Sequence, residues 1–103
     1  MELEKAEKLV KELMEKHDVG KAWRFVWINK KAYYGECNKK MKEIRLSRKF
    51  VEINNQERVR DVILHEIAHA KCRKRGHNKY FYAWCKRLGA KPERLNTSAN
   101  RPK

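Results

Sequence analysis

The chain has 103 residues, the size of one ordinary domain, and is 41% hydrophobic and 39% charged. With 10% aromatics that is enough for one modest core, which excludes disorder throughout. Lys and Arg outnumber Asp and Glu by 27 to 13, and the resulting +14 attracts polyanions, DNA or RNA before an anionic membrane surface.

Residues Glu2 to His17 place Leu3, Ala6, Leu9, Val10, Leu13 and Met14 at helical spacing, with Glu and Lys opposite and Gly20 marking the break. The segment has no continuous apolar run, so it reads as neither a signal peptide nor a membrane span. Trp23 to Ile28 is aromatic and β-branched, the composition of a strand. A turn at Asn29-Lys30-Lys31 leads to a second strand, Tyr33 to Cys37. A turn at Asn38-Lys39-Lys40 leads to a third, Met41 to Leu46, which alternates apolar and charged residues. Short turns between three strands predict an antiparallel meander. The third strand could pair with an extended substrate if it lies at the sheet edge.

Asn54 or Asn55 can cap a helix from about Gln56 to Arg75, with Val59, Val62, Ile63, Ile67 and Ala70 as its apolar set and Gly76 as its stop. Its basic end, Lys71 to Arg75, suits the negative pole of the helix dipole. A last helix fits Asn78 to Leu88, with Phe81, Trp84, Cys85 and Leu88 on one face. The fold class is α+β: helix, three-stranded antiparallel sheet, helix, helix. Residues 1–95 form the domain, and 96–103 read as a polar, flexible tail. Cys37, Cys72 and Cys85 form no CxxC pair and no even disulfide set, which suits a reducing compartment and an intracellular, soluble protein.

His65-Glu66-Ile67-Ala68-His69 is an HExxH motif inside the strongest helical stretch. Four residues advance a helix by slightly more than one turn, so both imidazoles leave one face and can reach one zinc ion. Glu66 lies about 100° around from His65, placed to act as a general base without being a ligand. Two histidines leave zinc short of a protein ligand. His77, freed from the helix by Gly76, can supply the third and leave one position open. Tyr80 or Tyr82 could serve as a second electrophile, or simply pack. His17 reads as a helix-end residue whose positive form suits the dipole. A rival set, His65, His69 and Cys72 closed by Cys37 or Cys85, would make a structural zinc site with no role for Glu66. On that reading the chain is a nonenzymatic nucleic-acid-binding module.

From Trp23 to Arg94 the chain resembles the SprT-like domain, the protease module of Spartan-type DNA–protein crosslink proteases. The likeness rests on Trp23 through Trp27, Tyr34-Gly35-Glu36-Cys37, Ile44-Arg45-Leu46-Ser47, Val62 through Ala70, Gly76-His77-Asn78 with Phe81, and Leu88-Gly89-Ala90. It implies a minimal zincin-like fold and a zinc metalloendopeptidase. His65, His69 and His77 then hold one Zn2+, Glu66 is the catalytic base, and the substrate is protein, often on or attached to DNA. The chain lacks the cysteine pairs of a C-terminal zinc ribbon, so any DNA targeting rests on its own basic surface or a partner. Candidate nucleic-acid contacts are Lys21, Arg24, Trp27, Lys30 and Lys31, and a second basic group at Lys71, Arg73, Lys74 and Arg75. Aromatics beside cations suit single-stranded DNA, although the same aromatics could be sheet core. A monomer with no membrane contact is expected.

Overall fold

Apolar spacing builds the first helix, α1 (Leu3–Lys16), which buries Ala6, Val10, Leu13 and Met14 as one stripe. The computed structural model describes residues 1–29, 34–73 and 76–90; Lys30, Lys31, Tyr33, Lys74, Arg75 and the tail expected at 96–103 lie outside them. The Met1 amino group donates to the carbonyls of Val51 (3.1 Å) and Asn54 (2.7 Å), tying the start of α1 to the far side of the chain. The helix stops at His17, and Asp18 rather than Gly20 takes the left-handed conformation, φ 61°. The His17 carbonyl accepts from Lys71 Nζ at 2.7 Å. Burial first, then Lys16, Lys71 and Arg60, hold the His17 imidazole below its ordinary pKa. This reverses the expected dipole-stabilised cation: desolvation and three nearby cations outweigh one helix end.

Three strands follow: β1 (Arg24–Ile28), β2 (Gly35–Asn38) and β3 (Glu43–Ser47). They form a mixed sheet in the order β1-β3-β2, not an antiparallel meander. β1 runs parallel to β3, Phe25 beside Ile44 and Trp27 beside Leu46, while β2 and β3 form the one antiparallel pair among the described residues. Burial explains the order. Ile44 and Leu46 are both 0% exposed, so β3 takes the centre and the partly covered strands flank it. The expectation that the third strand could lie at an edge is corrected by the same order; the edges are β1 and β2.

The register separates two faces. Phe25, Trp27, Ile44, Leu46, Cys37 and Gly35 share the inner one. Glu43 lies on the other, held by Arg45 (2.9 and 2.6 Å) and by Arg24 (2.9 and 2.6 Å). Those two guanidiniums keep its carboxyl below the usual carboxylate range.

Ser47 ends β3 and caps a short helix, α2 (Arg48–Ile53), accepting from the Phe50 N–H. Phe50 stacks on Tyr34 at 4.8 Å. Asn55 then caps α3 (Gln56–Lys71), accepting from the Arg58 N–H. Every residue from Asp61 to Ala68 is buried, because α3 runs through the centre of the domain against α1, α4, β2 and β3. It ends at Cys72, short of the expected Arg75. The Cys72 carbonyl there accepts from Lys39 Nζ at 2.5 Å, a cation supplied at the helix's negative end from the β2–β3 turn. Asn78 caps α4 (Lys79–Leu88) by accepting from the Tyr80 and Phe81 N–H groups, and Gly89 (φ 89°) ends it.

Candidate metal centre

Helical spacing sets two of the three histidines. His65 and His69, one turn apart on α3, bring their Nε2 atoms to 3.2 Å. His77 comes from the loop before α4, where Gly76 at φ 85° turns the chain. Its Nε2 lies 3.3 Å from that of His65. The ligand atoms of all three lie within 4.8 Å of one another. Tetrahedral zinc with Zn–N of about 2.0–2.1 Å requires nitrogens about 3.3 Å apart, a spacing that both pairs with His65 match, so these residues fit the ion.

Burial is graded. His65 is enclosed, His69 half-buried and His77 exposed, so access to the cluster comes from the His77 side. Phe81, 0% exposed, packs against all three rings. Glu66, one residue along from His65, is enclosed at 1% exposure, and its charge helps push the Cys85 thiol up to about 12 after the larger effect of burial.

No cysteine joins the cluster among the described residues, so the rival set with Cys72 is not assembled. Cys72 is instead the buried C-cap of α3, and Cys85 a buried residue of α4. Tyr80 and Tyr82 are both exposed, with the Tyr82 ring 5.5 Å from Phe81.

Three of the candidate nucleic-acid residues are engaged within the fold. Trp27 donates its indole N–H to Glu7 at 2.9 Å, with the Arg48 guanidinium 5.8 Å from its ring centre. Arg24 is held by Glu43, and Lys71 is tied to the His17 carbonyl and lies 5.4 Å from the Trp84 ring. Lys21 and Arg73 are exposed. Lys30, Lys31, Lys74 and Arg75 are outside the described residues. Sequence reasoning places Phe81 on an apolar helix face and among the elements of the SprT-like resemblance, without a role at the centre. The tertiary contact that sets it under the three imidazoles has no local signature.

An α+β domain whose buried helix α3 carries two of three converging histidines, with the third on the loop before α4, has a zincin-like fold. The SprT-like family model matches residues 4–101, and the chain belongs to that family. Among solved structures it is similar to the metallopeptidase zymogen jannalysin of Methanocaldococcus jannaschii, with a TM-score of 0.73 and 19% identity over 91% of this chain and 89% of that one. It is also similar to the metallopeptidase zymogen abylysin of Pyrococcus abyssi, with a TM-score of 0.67 and 19% identity over 93% and 96% of the two chains. No curated protein matches it significantly. Family and fold together support a metallopeptidase. No helix among the described residues is long and apolar enough to cross a membrane.

Proposed function

We propose that the protein is a zinc metalloendopeptidase in which His65, His69 and His77 hold one zinc ion and Glu66 is the general base. The observation that carries this is the convergence of three Nε2 atoms, with neighbouring pairs at 3.2 and 3.3 Å. Three protein ligands leave a tetrahedral ion one open position, the arrangement of catalytic rather than structural sites. When bound, zinc supplies Lewis acidity toward a substrate carbonyl and toward water. His77, the exposed member, borders the side from which a peptide approaches. Glu66 takes a proton from the attacking water on a carboxylate oxygen and returns it to the departing amide nitrogen. The enclosure of Glu66 keeps bulk water from competing for that proton.

The substrate class is protein, near or attached to DNA. The support for DNA is the +14 balance, with exposed Lys21 and Arg73 as the contacts to test first. The decisive experiment pairs metal analysis with hydrolysis of an unfolded protein substrate. Wild type should carry one zinc per chain and His77→Ala should lose it. Glu66→Gln should keep zinc and fold but lose at least about a hundredfold in rate. Equal hydrolysis by Glu66→Gln rejects the assigned base. Binding to single-stranded oligonucleotide should exceed that to duplex and weaken steeply with salt. A salt-independent signal removes the DNA part alone.

A further inference from the structure

The three histidines come from two elements, and something must set their ring orientations together. The imidazole χ2 torsion is broad and roughly two-fold, so each ring can present either nitrogen inward. In the structure the facing atoms are Nε2 in His65, His69 and His77. One side chain touches all three rings. Phe81 stacks on His69 with centroids 4.2 Å apart and planes at 25°. It meets His65 at 4.9 Å and 71°, and His77 at 4.9 Å and 73°. Phe81 is itself fixed: it is 0% exposed, and its N–H donates to the Asn78 side chain at 3.1 Å in the α4 cap.

We propose that Phe81 is the positioning residue of the centre, an aromatic wall that locks the three imidazole rotamers before a metal arrives. A flat ring can stack on one imidazole while meeting two others at steep angles; an aliphatic side chain of similar volume fills the space but leaves χ2 free. Metal binding also makes the imidazoles more positive, and an aromatic ring attracts that charge. The proposal rests on the reading that the triad holds a metal.

The test is Phe81→Leu, with Phe50→Leu as the control. Phe50 is a buried aromatic that stacks on Tyr34. Zinc affinity is read by chelator competition, site geometry by the visible spectrum of the Co2+ form, and metal-free stability by thermal melts. Phe81→Leu should bind zinc at least fivefold more weakly and alter the Co2+ spectrum. Phe50→Leu should lower the metal-free Tm while leaving affinity within twofold. Affinity within twofold for Phe81→Leu, or an equal loss in Phe50→Leu, overturns the proposal. If Phe81→Leu does not fold, proton NMR of metal-free wild type decides. The carbon-bound protons of the His69 ring should be ring-current shifted, and free-histidine shifts there overturn the proposal. Wild type that binds no stoichiometric zinc rejects the underlying metal reading instead, so the two failures are distinct.

Discussion

Gly76→Ala separates backbone geometry from every other influence on the centre. Gly76 sits at φ 85°, and a Cβ built there meets nothing within 4 Å. The substitution therefore adds no clash, and its whole effect is conformational. Holding an L-residue in the left-handed region costs about 1–2 kcal/mol. The chain has two responses. It can keep the backbone and carry the strain, or relax φ and move His77 from its place 3.3 Å from His65. Metal-free protein can take the second route; metal-loaded protein cannot without losing a ligand. The strain should thus appear as zinc affinity reduced about 5- to 30-fold, at 1.4 kcal/mol per decade, with the metal-free Tm nearly unchanged. Gly89 is the matched control, with φ 89° and equally open Cβ space but at the C-cap of α4. Gly89→Ala should lower the metal-free Tm by about 4–8 °C per kcal/mol and leave zinc affinity alone. Chelator competition and thermal melts on both variants decide. Wild-type affinity in Gly76→Ala refutes the claim that this φ places His77.

Gly35 is constrained in the opposite way, since an added Cβ would lie 2.7 Å from the Arg45 carbonyl in the central strand. Overpacking of about 1–3 kcal/mol exceeds the entropic gain of about 0.4–1 kcal/mol, so Gly35→Ala should lower Tm by several degrees; an unchanged or raised Tm counts against the β2–β3 contact. His17 has a lowered folded pKa, so the unfolded chain takes up its proton first as pH falls. Its stabilising effect is complete above the unfolded value of 6.5 and is lost as pH drops below that toward the folded pKa. His17→Gln should therefore flatten the fall of Tm between pH 7 and 5, and an unaltered slope contradicts the assignment. The Cys85 thiol, pushed up to about 12 chiefly by burial, should resist alkylation at pH 8 while half-buried Cys37 reacts. Mass spectrometry of the labelled protein checks this, and equal labelling of the two would show that Cys85 is not enclosed.

What was legible follows from what is local. The helices α1, α3 and α4 each declare themselves by apolar spacing over two turns or more, and the HExxH spacing fixes two imidazoles on one face before any tertiary contact is known. Gly76-His77 was readable as the third contribution because glycine marks where a chain can turn back. Helix α2 carries no such signal, because Arg48–Ile53 is too short to show a period, although Ser47 ahead of it is a cap residue. Sheet order is a different kind of quantity. Period-two alternation says that Glu43–Ser47 is a strand and which residues share a face, but not which strand lies beside it. Here β3 takes the centre because its Ile44 and Leu46 are wanted under α2 and α3, a demand made from outside the sheet. The partner of the α3 C-cap is likewise non-local, since Lys39 arrives from the β2–β3 turn to meet the Cys72 carbonyl. Phe81 is the sharpest case. As sequence it is one more apolar residue on an amphipathic helix, and only the crossing of α4 past α3 puts its ring against three imidazoles at 4.2 to 4.9 Å. Which histidines can converge is thus written in spacing, whereas how their rings are oriented is written in packing, and the Phe81 and Gly76 variants test the second without touching the first.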